Sequence, residues 1–253
     1  MSRQIPSLKI FCDFDGTVTK NDIWVSALGK FIKDENTFAE VCYEFASNLI
    51  SSRECTLREL SLVENFSFEQ FNKYLDVEEF DEYFKDFVKY CEEKNYEIIL
   101  LSEGLDYYIN YLMRRESINL KVFCNKLIVK EVQSEDGKTI QYKLSCEFPF
   151  EDEHCRYCGV SKRNIILTHT DEYNNEVSVF IGDGVSDFCA SNYADIVFAK
   201  KSLASYCWKH NITYYDYKNF SDVQNKLEKL LSQGRIKQRQ SARLLRRDVY
   251  LGG

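Results

Sequence analysis

Apolar runs that end on carboxylates alternate with segments of helical periodicity along most of the chain. Continuous apolar stretches at residues 8–13, 96–102 and 177–183 predict buried parallel strands, and residues 195–199 predict a fourth. Strands that alternate with helices predict right-handed crossovers and a doubly wound α/β fold with a mostly parallel, Rossmann-like sheet. Apolar residues at intervals of three and four predict the helices at 80–95, 104–116, 161–170, 185–192, 203–210 and 221–232.

Two segments interrupt this alternation. Residues 21–76 contain aromatic-rich helical patterns and no strand pattern, so we interpret them as a helical insert that caps the core. Residues 121–148 alternate as two β runs about the turn sequence Ser134-Glu135-Asp136-Gly137, which predicts a hairpin that extends the sheet or overhangs the site. The predicted organisation is therefore a core of residues 1–20 and 77–232, the insert, and a tail at 233–253.

The composition limits the possible classes of protein. The chain has 253 residues, 44% of them hydrophobic, which excludes a disordered protein. The net charge of −7 argues against nucleic acid as a partner of the whole surface. No apolar window is long enough to span a membrane, and the N-terminus does not resemble a signal peptide. Ten cysteines without such a signal favour reduced thiols and a cytoplasmic location.

The last twenty residues differ from the rest in charge. They contain six Lys or Arg and one Asp, a net charge of +5, which leaves about −12 on the remainder. Arg239, Arg243 and Arg246 lie on one side of a predicted helix, which is compatible with binding to nucleic acid or an anionic surface. We favour a frayed, solvated terminus.

Four carboxylates lie at or just after the predicted strand ends: Asp13, Asp15, Asp183 and Asp187. The carboxyl ends of parallel strands form the ligand crevice of an open α/β sheet, so these groups should converge. Converging carboxylates repel one another unless a cation joins them, and an all-oxygen site favours Mg²⁺. A carboxylate can also attack phosphorus, and two carboxylates spaced i, i+2 can divide nucleophilic and proton-transfer roles.

Other residues fit a phosphate pocket. Ser102 ends the second strand before Glu103, Gly104 and a helix, so its hydroxyl and the nearby backbone N–H groups suit phosphate oxygens. Lys162, near the start of a later helix, places one positive charge where a nucleophile and a phosphoryl group would meet.

These residues occur in a recognisable order. The run Asp13-Phe14-Asp15-Gly16-Thr17-Val18-Thr19, then Ser102, Lys162 and Gly182-Asp183-Gly184-Val185-Ser186-Asp187, resembles the four ordered motifs of the haloacid dehalogenase superfamily. The insert resembles the type I cap of phosphoserine-phosphatase-like members. The Asn21-Asp22 pair and the Cys-Gly run before Lys162 resemble the methylthiopentenyl-phosphate phosphatases of methionine salvage.

The resemblance implies a role for each matching position. It implies Asp13 as nucleophile, Asp15 as acid and base, and Thr17 as a group that orients Asp15. Mg²⁺ would be held by the Asp13 carboxylate, the Asp15 backbone carbonyl and Asp183, with Asp187 acting through water. Ser102, Gly104 and Lys162 would hold phosphate.

Glu103 departs from the family pattern, because related phosphatases often have glycine after this serine. A carboxylate here disfavours a second phosphate and suits a hydroxyl or an amine. With Asp22, which is also a good helix-capping residue, Glu103 predicts a small acidic pocket for the substrate.

The expected function is therefore a Mg²⁺-dependent phosphatase of small organic phosphate esters that works through an aspartyl-phosphate. Phosphoserine-like and methylthiopentenyl phosphates are the substrates that the resemblance implies. The alternatives are a phosphomutase on the same scaffold and a phospho-ligand sensor that does not turn over. The carboxyl group of Asp15 argues against a dehalogenase.

One cysteine-rich run has two interpretations. His154, Cys155 and Cys158, with Cys146, offer four possible zinc ligands, but a single Cys-x-x-Cys is a weak zinc signature. A loop of reduced thiols is the favoured interpretation.

Overall fold

The fold was analysed in a computed structural model, which describes residues 7–47, 49–133, 140–152, 155 and 157–251. A seven-stranded sheet runs through the described part of the chain in the order β4-β3-β2-β1-β5-β6-β7. All neighbouring strands are parallel except β3 and β4, which pair antiparallel. The strands are β1 (Leu8–Cys12), β2 (Glu97–Leu105), β3 (Lys121–Gln133), β4 (Ile140–Glu147), β5 (Val177–Gly182), β6 (Ile196–Ala199) and β7 (Tyr215–Asp216).

The first strand lies at the point where the strand order reverses. Cys12, at the end of β1, is in register with Leu100 of β2 on one side and with Ile181 of β5 on the other. The crossovers that leave these two neighbours run in opposite directions, so a crevice opens beyond the carboxyl end of β1. The residue that follows Cys12 is Asp13, which the fold therefore places at the crevice.

Helices cover both faces of the sheet. Ile10 and Cys12 of β1 belong to one buried apolar cluster, whereas Phe11 belongs to a second, as the two-residue period of a strand requires. The first cluster includes α5 (Phe84–Glu93), α6 (Asp106–Arg115) and α10 (Phe220–Ser232), and the second includes α7 (Lys162–His169), α8 (Phe188–Tyr193) and α9 (Lys201–Lys209). The predicted doubly wound α/β fold is confirmed.

Residues between β1 and α5 form helices that pack on the hairpin. They are α1 (Ile23–Ser26), a 3₁₀ turn (Leu28–Phe31), α2 (Glu35–Ala46), α3 (Ser52–Ser61) and α4 (Phe68–Asp76). The Tyr142 ring on β4 lies 6.5 Å from the Phe66 ring and 5.5 Å from the Phe68 ring, between centroids. The hairpin thus extends the sheet and supports the insert, while its predicted turn at 134–137 lies outside the described residues. The division of the chain into core and insert stays a prediction.

Two predicted helices begin later than expected. The helix predicted at 80–95 starts at Phe84, because Phe80 forms an antiparallel bridge with Thr19. The helix predicted from Gly104 starts at Asp106, because β2 continues through Leu105. Phe80 lies in an isolated bridge and Gly104 lies near the end of a strand, and short apolar segments of this kind do not distinguish a strand from a helix.

The basic tail was expected to be frayed and solvated, and that expectation was wrong, because its described part forms a helix that buries Ala242 and Arg246 while most of its other side chains are exposed. Helix α11 (Gln240–Tyr250) follows α10 and packs against α8. Arg246 is buried, donates a hydrogen bond to Asp195 Oδ1 at 3.0 Å, and also pairs with Glu172. The buried Asp195 and the partly exposed Glu172 hold this helix, because an arginine buried without a partner would be costly. Among the described residues, no helix combines the length and the apolar character that a membrane span needs.

Candidate active site

One lysine joins two of the strand-end carboxylates. Lys162, the first residue of α7, donates hydrogen bonds from Nζ to Asp13 Oδ1 and to Asp187 Oδ1, both at 2.7 Å. All three side chains are buried. Although burial lowers the pKa of Lys162, the two carboxylates outweigh it and raise that pKa above its ordinary value. Lys162 therefore stays charged at the centre of the site.

The loop after β5 places the carboxylates of Asp183 and Asp187 near Asp13. Asp187 Oδ2 accepts hydrogen bonds from the backbone N–H groups of Asp183 at 2.9 Å and Gly184 at 3.1 Å. This turn requires glycine at position 182, because a Cβ there would lie 2.4 Å from Asp187 Oδ2. The glycine-rich sequence of this loop thus lets the Asp187 carboxylate fold back onto the strand end.

Three carboxylates fit a divalent cation. Asp13, Asp183 and Asp187 place one oxygen each within 4.8 Å of one another, and no other such trio occurs among the described residues. Burial, and then the charge of Asp187, raise the pKa of Asp13 well above its ordinary value, while Lys162 opposes the shift. A buried set of carboxylate oxygens suits Mg²⁺ and would be relieved of its mutual repulsion by it.

Asp15 lies in a separate hydrogen-bond cluster. Its Oδ2 accepts from the Ser102 hydroxyl at 3.1 Å and from the Tyr108 hydroxyl at 2.9 Å, and its Oδ1 accepts from the Ile23 N–H at 3.2 Å. Burial, and then the charge of Asp22, raise the pKa of Asp15 to about 7, although the hydroxyl donors lower it. A carboxyl group with a pKa near neutrality can both donate and accept a proton in one reaction cycle.

Ser102 and Gly104 support Asp15 directly. The Ser102 hydroxyl, which donates to Asp15, accepts a hydrogen bond from the Gly104 N–H at 2.9 Å. A Cβ at position 104 would lie 1.8 Å from the Tyr108 hydroxyl oxygen, so only glycine leaves room for this tyrosine. The sequence reasoning missed Tyr108. A glycine four residues before a tyrosine in the first turn of a helix is the signal that points to it.

Asp22 has two roles in the structure. Its side chain accepts from the Trp24 N–H at 2.9 Å as the N-cap of α1, and it also lines the central cavity. Burial raises its pKa, and the backbone donors of α1 oppose that shift. Thr17 is buried in the turn beyond Asp15, where its N–H donates to the Phe14 carbonyl at 3.2 Å, and it is not one of the cavity-lining residues.

Glu103 was expected to be free to contact the substrate, but in the structure protein groups bind its carboxylate. Its carboxylate accepts hydrogen bonds from the Ser52 hydroxyl at 2.8 Å, the Gly159 N–H at 2.9 Å and the Val160 N–H at 3.2 Å. Burial raises its pKa, while Lys162 and these donors lower it. Glu103 lines the cavity, but protein groups occupy much of its acceptor capacity. It joins α3 of the insert to the loop that precedes Lys162.

A cavity of about 380 Å³ connects these groups. Its sheet side is formed by Asp13, Asp15 and Asp183. Its insert side is formed by residues of α1, α2 and α3, among them Trp24, Phe45 and Glu59. A space of this size accommodates a small organic molecule.

Two further charged residues were missed by sequence reasoning. Lys201, at the start of α9, donates from Nζ to Asp183 Oδ2 at 2.7 Å. It follows β6 directly, so the argument that strand ends gather at one crevice would have found it. Glu59 lies in the middle of α3, where no motif distinguishes it from other helical glutamates.

The structure does not gather the proposed zinc ligands. Cys146, Cys155 and Cys158 do not form a trio with ligand atoms within 4.8 Å of one another. His154 lies outside the described residues. Cys155 instead interacts with Cys158 and with Cys189 of α8.

Comparisons with known proteins identify the family of the chain. The sequence model of haloacid dehalogenase-like hydrolases matches residues 10–191. The 2-hydroxy-3-keto-5-methylthiopentenyl-1-phosphate phosphatase of Bacillus cereus (strain B4264) is 30% identical over 229 residues, which are 89% of this chain and 98% of that protein.

Solved phosphoserine phosphatases share the fold. A phospho-aspartyl intermediate analogue of phosphoserine phosphatase superposes with a TM-score of 0.66 at 18% identity, covering 88% of this chain and 99% of that one. A probable phosphoserine phosphatase from Vibrio cholerae gives 0.61 at 16% identity, covering 94% of this chain and 70% of that one. With the family model matching most of its length and a relative aligned almost from end to end, the chain belongs to the haloacid dehalogenase-like hydrolases and is one of their phosphatases.

Proposed function

We propose that the protein hydrolyses a small organic phosphate monoester through an aspartyl-phosphate on Asp13, with Mg²⁺ as cofactor. The observation that carries the proposal is the pairing of two differently equipped carboxylates. Asp13 is held by Lys162 within a trio of carboxylate oxygens, whereas Asp15 has a pKa near neutrality and lies against hydroxyl donors. One carboxylate suits nucleophilic attack, and the other suits proton transfer.

In the first step, an Asp13 carboxylate oxygen forms a bond to phosphorus while the bond from phosphorus to the leaving oxygen breaks. Asp15 donates its proton to that oxygen, so the leaving group departs as a neutral alcohol. In the second step, Asp15 takes a proton from water, whose oxygen attacks phosphorus and releases phosphate from Asp13. The same carboxyl group thus returns to its protonated form, which a pKa of about 7 permits near neutral pH.

The surrounding charges fit this chemistry. Lys162 lies 2.7 Å from Asp13 and orients the attacking carboxylate. Mg²⁺, when bound, would be held by Asp13, the Asp15 backbone carbonyl and Asp183, with support from Asp187, and it supplies positive charge for the phosphate oxygens. Closure of the insert over the cavity would exclude bulk water until the aspartyl-phosphate has formed.

A methylthiopentenyl phosphate, the ester named for the Bacillus cereus relative, is the preferred substrate class, because that relative aligns over nearly its whole length. Phosphoserine has weaker support, because the phosphoserine phosphatases are similar at the level of fold. A phosphomutase would use the same two carboxylates and differs only in the acceptor of the phosphoryl group.

The test compares the native chain with Asp13→Asn in the release of phosphate from p-nitrophenyl phosphate, with and without Mg²⁺. We expect Mg²⁺-dependent release that the substitution reduces by at least about 10³-fold, since it removes the nucleophile. Asp86→Asn, at an exposed position on α5, is the matched control. Equal activity of the native chain and Asp13→Asn would refute the proposal, and transfer of phosphate to an added sugar rather than to water would identify a mutase.

A further inference from the structure

The insert side of the cavity contains a buried carboxylate to which the proposed mechanism gives no role. Glu59, on α3, is 6% exposed and lines the cavity. Its Oε1 accepts a hydrogen bond from the Cys42 thiol at 3.4 Å, and the Cys55 thiol also contacts the carboxylate. Thiols are weak donors, and an ionised carboxylate offers about four acceptor positions, so Glu59 retains acceptor capacity towards the cavity.

No cation balances this carboxylate from within the cavity. Lys, Arg and His are absent from the described residues that line it. Lys162 and Lys201 belong to the sheet side, where Lys162 is bound to Asp13 and Asp187, and Lys201 is bound to Asp183. Burial raises the pKa of Glu59, and the charge of Asp22 adds to that shift. A leaving group that enters this space therefore meets the carboxylates of Asp22, Glu59 and Glu103, and no Lys, Arg or His among the described residues lines the cavity beside them.

The other groups of the insert side suit a carbon skeleton. Trp24, Val25 and Phe45 present aromatic and aliphatic surface to the same space. Apolar walls with a few fixed polar groups are typical of sites that bind small organic ligands. The carboxylate of Glu59 is thus a localised recognition group in a mainly apolar compartment.

We propose that Glu59 determines specificity by accepting a hydrogen bond from a hydroxyl or ammonium group of the leaving group, and that this compartment rejects leaving groups that carry a carboxylate. The inference rests on the proposed phosphatase function, because that function places the phosphate at Asp13 and the leaving group at the insert. A ligand donor would use the acceptor capacity that the weak thiol donors Cys42 and Cys55 and the Trp24 side chain leave on this buried carboxylate. A ligand carboxylate would instead bring like charges together in a desolvated space.

The first experiment uses two esters that differ in one group. Glycerol 1-phosphate and 3-phosphoglycerate have the same carbon skeleton, but the second has a carboxylate where the first has a hydroxymethyl group. Binding of each is measured by calorimetry with the Asp13→Asn protein in Mg²⁺, so that turnover does not interfere. We expect glycerol 1-phosphate to bind at least about tenfold more tightly. Equal affinities, or no binding of either ester, would overturn the inference.

Variants of Glu59 assign the preference to this residue. Glu59→Gln keeps the size of the side chain without the charge, so the preference should shrink by about tenfold, mainly through the affinity for 3-phosphoglycerate. Glu59→Asp keeps the charge and should retain the preference. Glu54→Gln, at an exposed position on the same helix, is the matched control and should leave it unchanged. A preference that persists in Glu59→Gln contradicts the assignment.

Two further esters show whether Glu59 prefers an ammonium or a hydroxyl donor. Ethanolamine phosphate and phosphoserine differ only by a carboxylate, and both carry an ammonium group. Tighter binding of ethanolamine phosphate than of glycerol 1-phosphate would identify the ammonium group as the ligand of Glu59, and the reverse would identify the hydroxyl. Turnover of p-nitrophenyl phosphate separates the two proposals: hydrolysis without any carboxylate discrimination refutes this inference alone, whereas discrimination without hydrolysis refutes the proposed function alone.

Discussion

The buried carboxylates on the two sides of the cavity have different partners. On the sheet side, Asp13 and Asp187 share Lys162, and Asp183 is bound to Lys201. On the insert side, Glu59 is also buried but interacts with the Cys42 and Cys55 thiols and the Trp24 side chain, and no Lys, Arg or His among the described residues lines the space in front of it. The sheet side is a charge network assembled by the fold, whereas the insert side leaves an acceptor for the ligand.

The difference follows from what each side does. A nucleophile and its neighbours need fixed positions before substrate arrives, and buried ion pairs supply that rigidity. Recognition of a leaving group instead uses free energy that is gained only when the ligand binds. An unpaired buried carboxylate destabilises the free protein and favours the complex. The predictions below test this contrast.

Lys162→Met should disrupt the charge network on the sheet side of the cavity. The substitution leaves Asp13 and Asp187 buried without their shared cation, so we expect the free energy of unfolding to fall by about 4 kcal/mol. Urea denaturation at neutral pH measures the loss. Added Mg²⁺ should stabilise the variant more than the native chain, because the cation replaces part of the missing charge. A variant as stable as the native chain would contradict the charge network described for this side.

Glu59→Gln should instead raise the free energy of unfolding, and only above the ordinary pKa of glutamate. Burial, opposed by the thiols of Cys42 and Cys55, raises the pKa of Glu59 from 4.5 to about 7. The pKa of Glu59 is higher in the folded state than in the unfolded state. Its contribution to the free energy of unfolding is therefore fully present below the unfolded-state pKa and is lost as the pH rises through the folded-state pKa. Above this range the variant should be more stable than the native chain by about 3 kcal/mol.

Urea denaturation of both proteins across this pH range isolates the contribution of Glu59. The two curves should coincide below the ordinary glutamate pKa and separate as the pH approaches neutrality. Glu40→Gln, at an exposed position on α2, should follow the native chain throughout. Parallel curves for Glu59→Gln and the native chain would mean that Glu59 is not a desolvated acid.

Tyr108→Phe tests the proton-transfer residue of the sheet side. The substitution removes one of the hydroxyl donors that lower the pKa of Asp15, so that pKa should rise and the pH optimum should move upward. A lost hydrogen bond to a buried carboxylate is worth about 1.5 kcal/mol, or roughly a tenfold loss of kcat/KM. Tyr111→Phe removes a hydroxyl that donates to exposed Asp76 and should change neither quantity.

Ser52→Ala tests the connection between the two sides. Ser52 of the insert donates to Glu103, which also accepts from the loop before Lys162. Because two backbone donors remain on Glu103, the free energy of unfolding should fall by only about 1 kcal/mol. Ser61→Ala, at an exposed position on α3, should have no measurable effect. A large loss for Ser52→Ala would mean that the insert depends on this one contact.

Local sequence signals were sufficient to predict the sheet side. The carboxylates Asp13 and Asp183 follow apolar runs, and the parallel strands that those runs predict end at one edge of a sheet. Asp187 was predicted because it lies in the loop that follows the third of these runs. Tyr108 and Lys201 were missed, although each has a local signal that a closer analysis of turn chemistry would have used.

The insert side and the tail were not predictable in this way. Glu59 and the exposed Glu54 lie on the same short helix and have the same side chain, and only packing decides which of them is buried. Arg246 was expected in a solvated tail, yet it is buried against Asp195. The carboxylate that binds it belongs to a distant part of the chain, and no pattern near Arg246 points to that partner.

By itself, the sequence determined the doubly wound fold, the strand ends that carry the catalytic candidates and the chemistry that their side chains allow. Backbone hydrogen bonding and apolar periodicity are local, so they can be read from neighbouring residues. Only the tertiary structure decided which carboxylates are paired, which are buried without a cation, and what faces them across the cavity. Burial and electrostatic pairing depend on contacts between residues far apart in the chain, and these contacts exist only after folding.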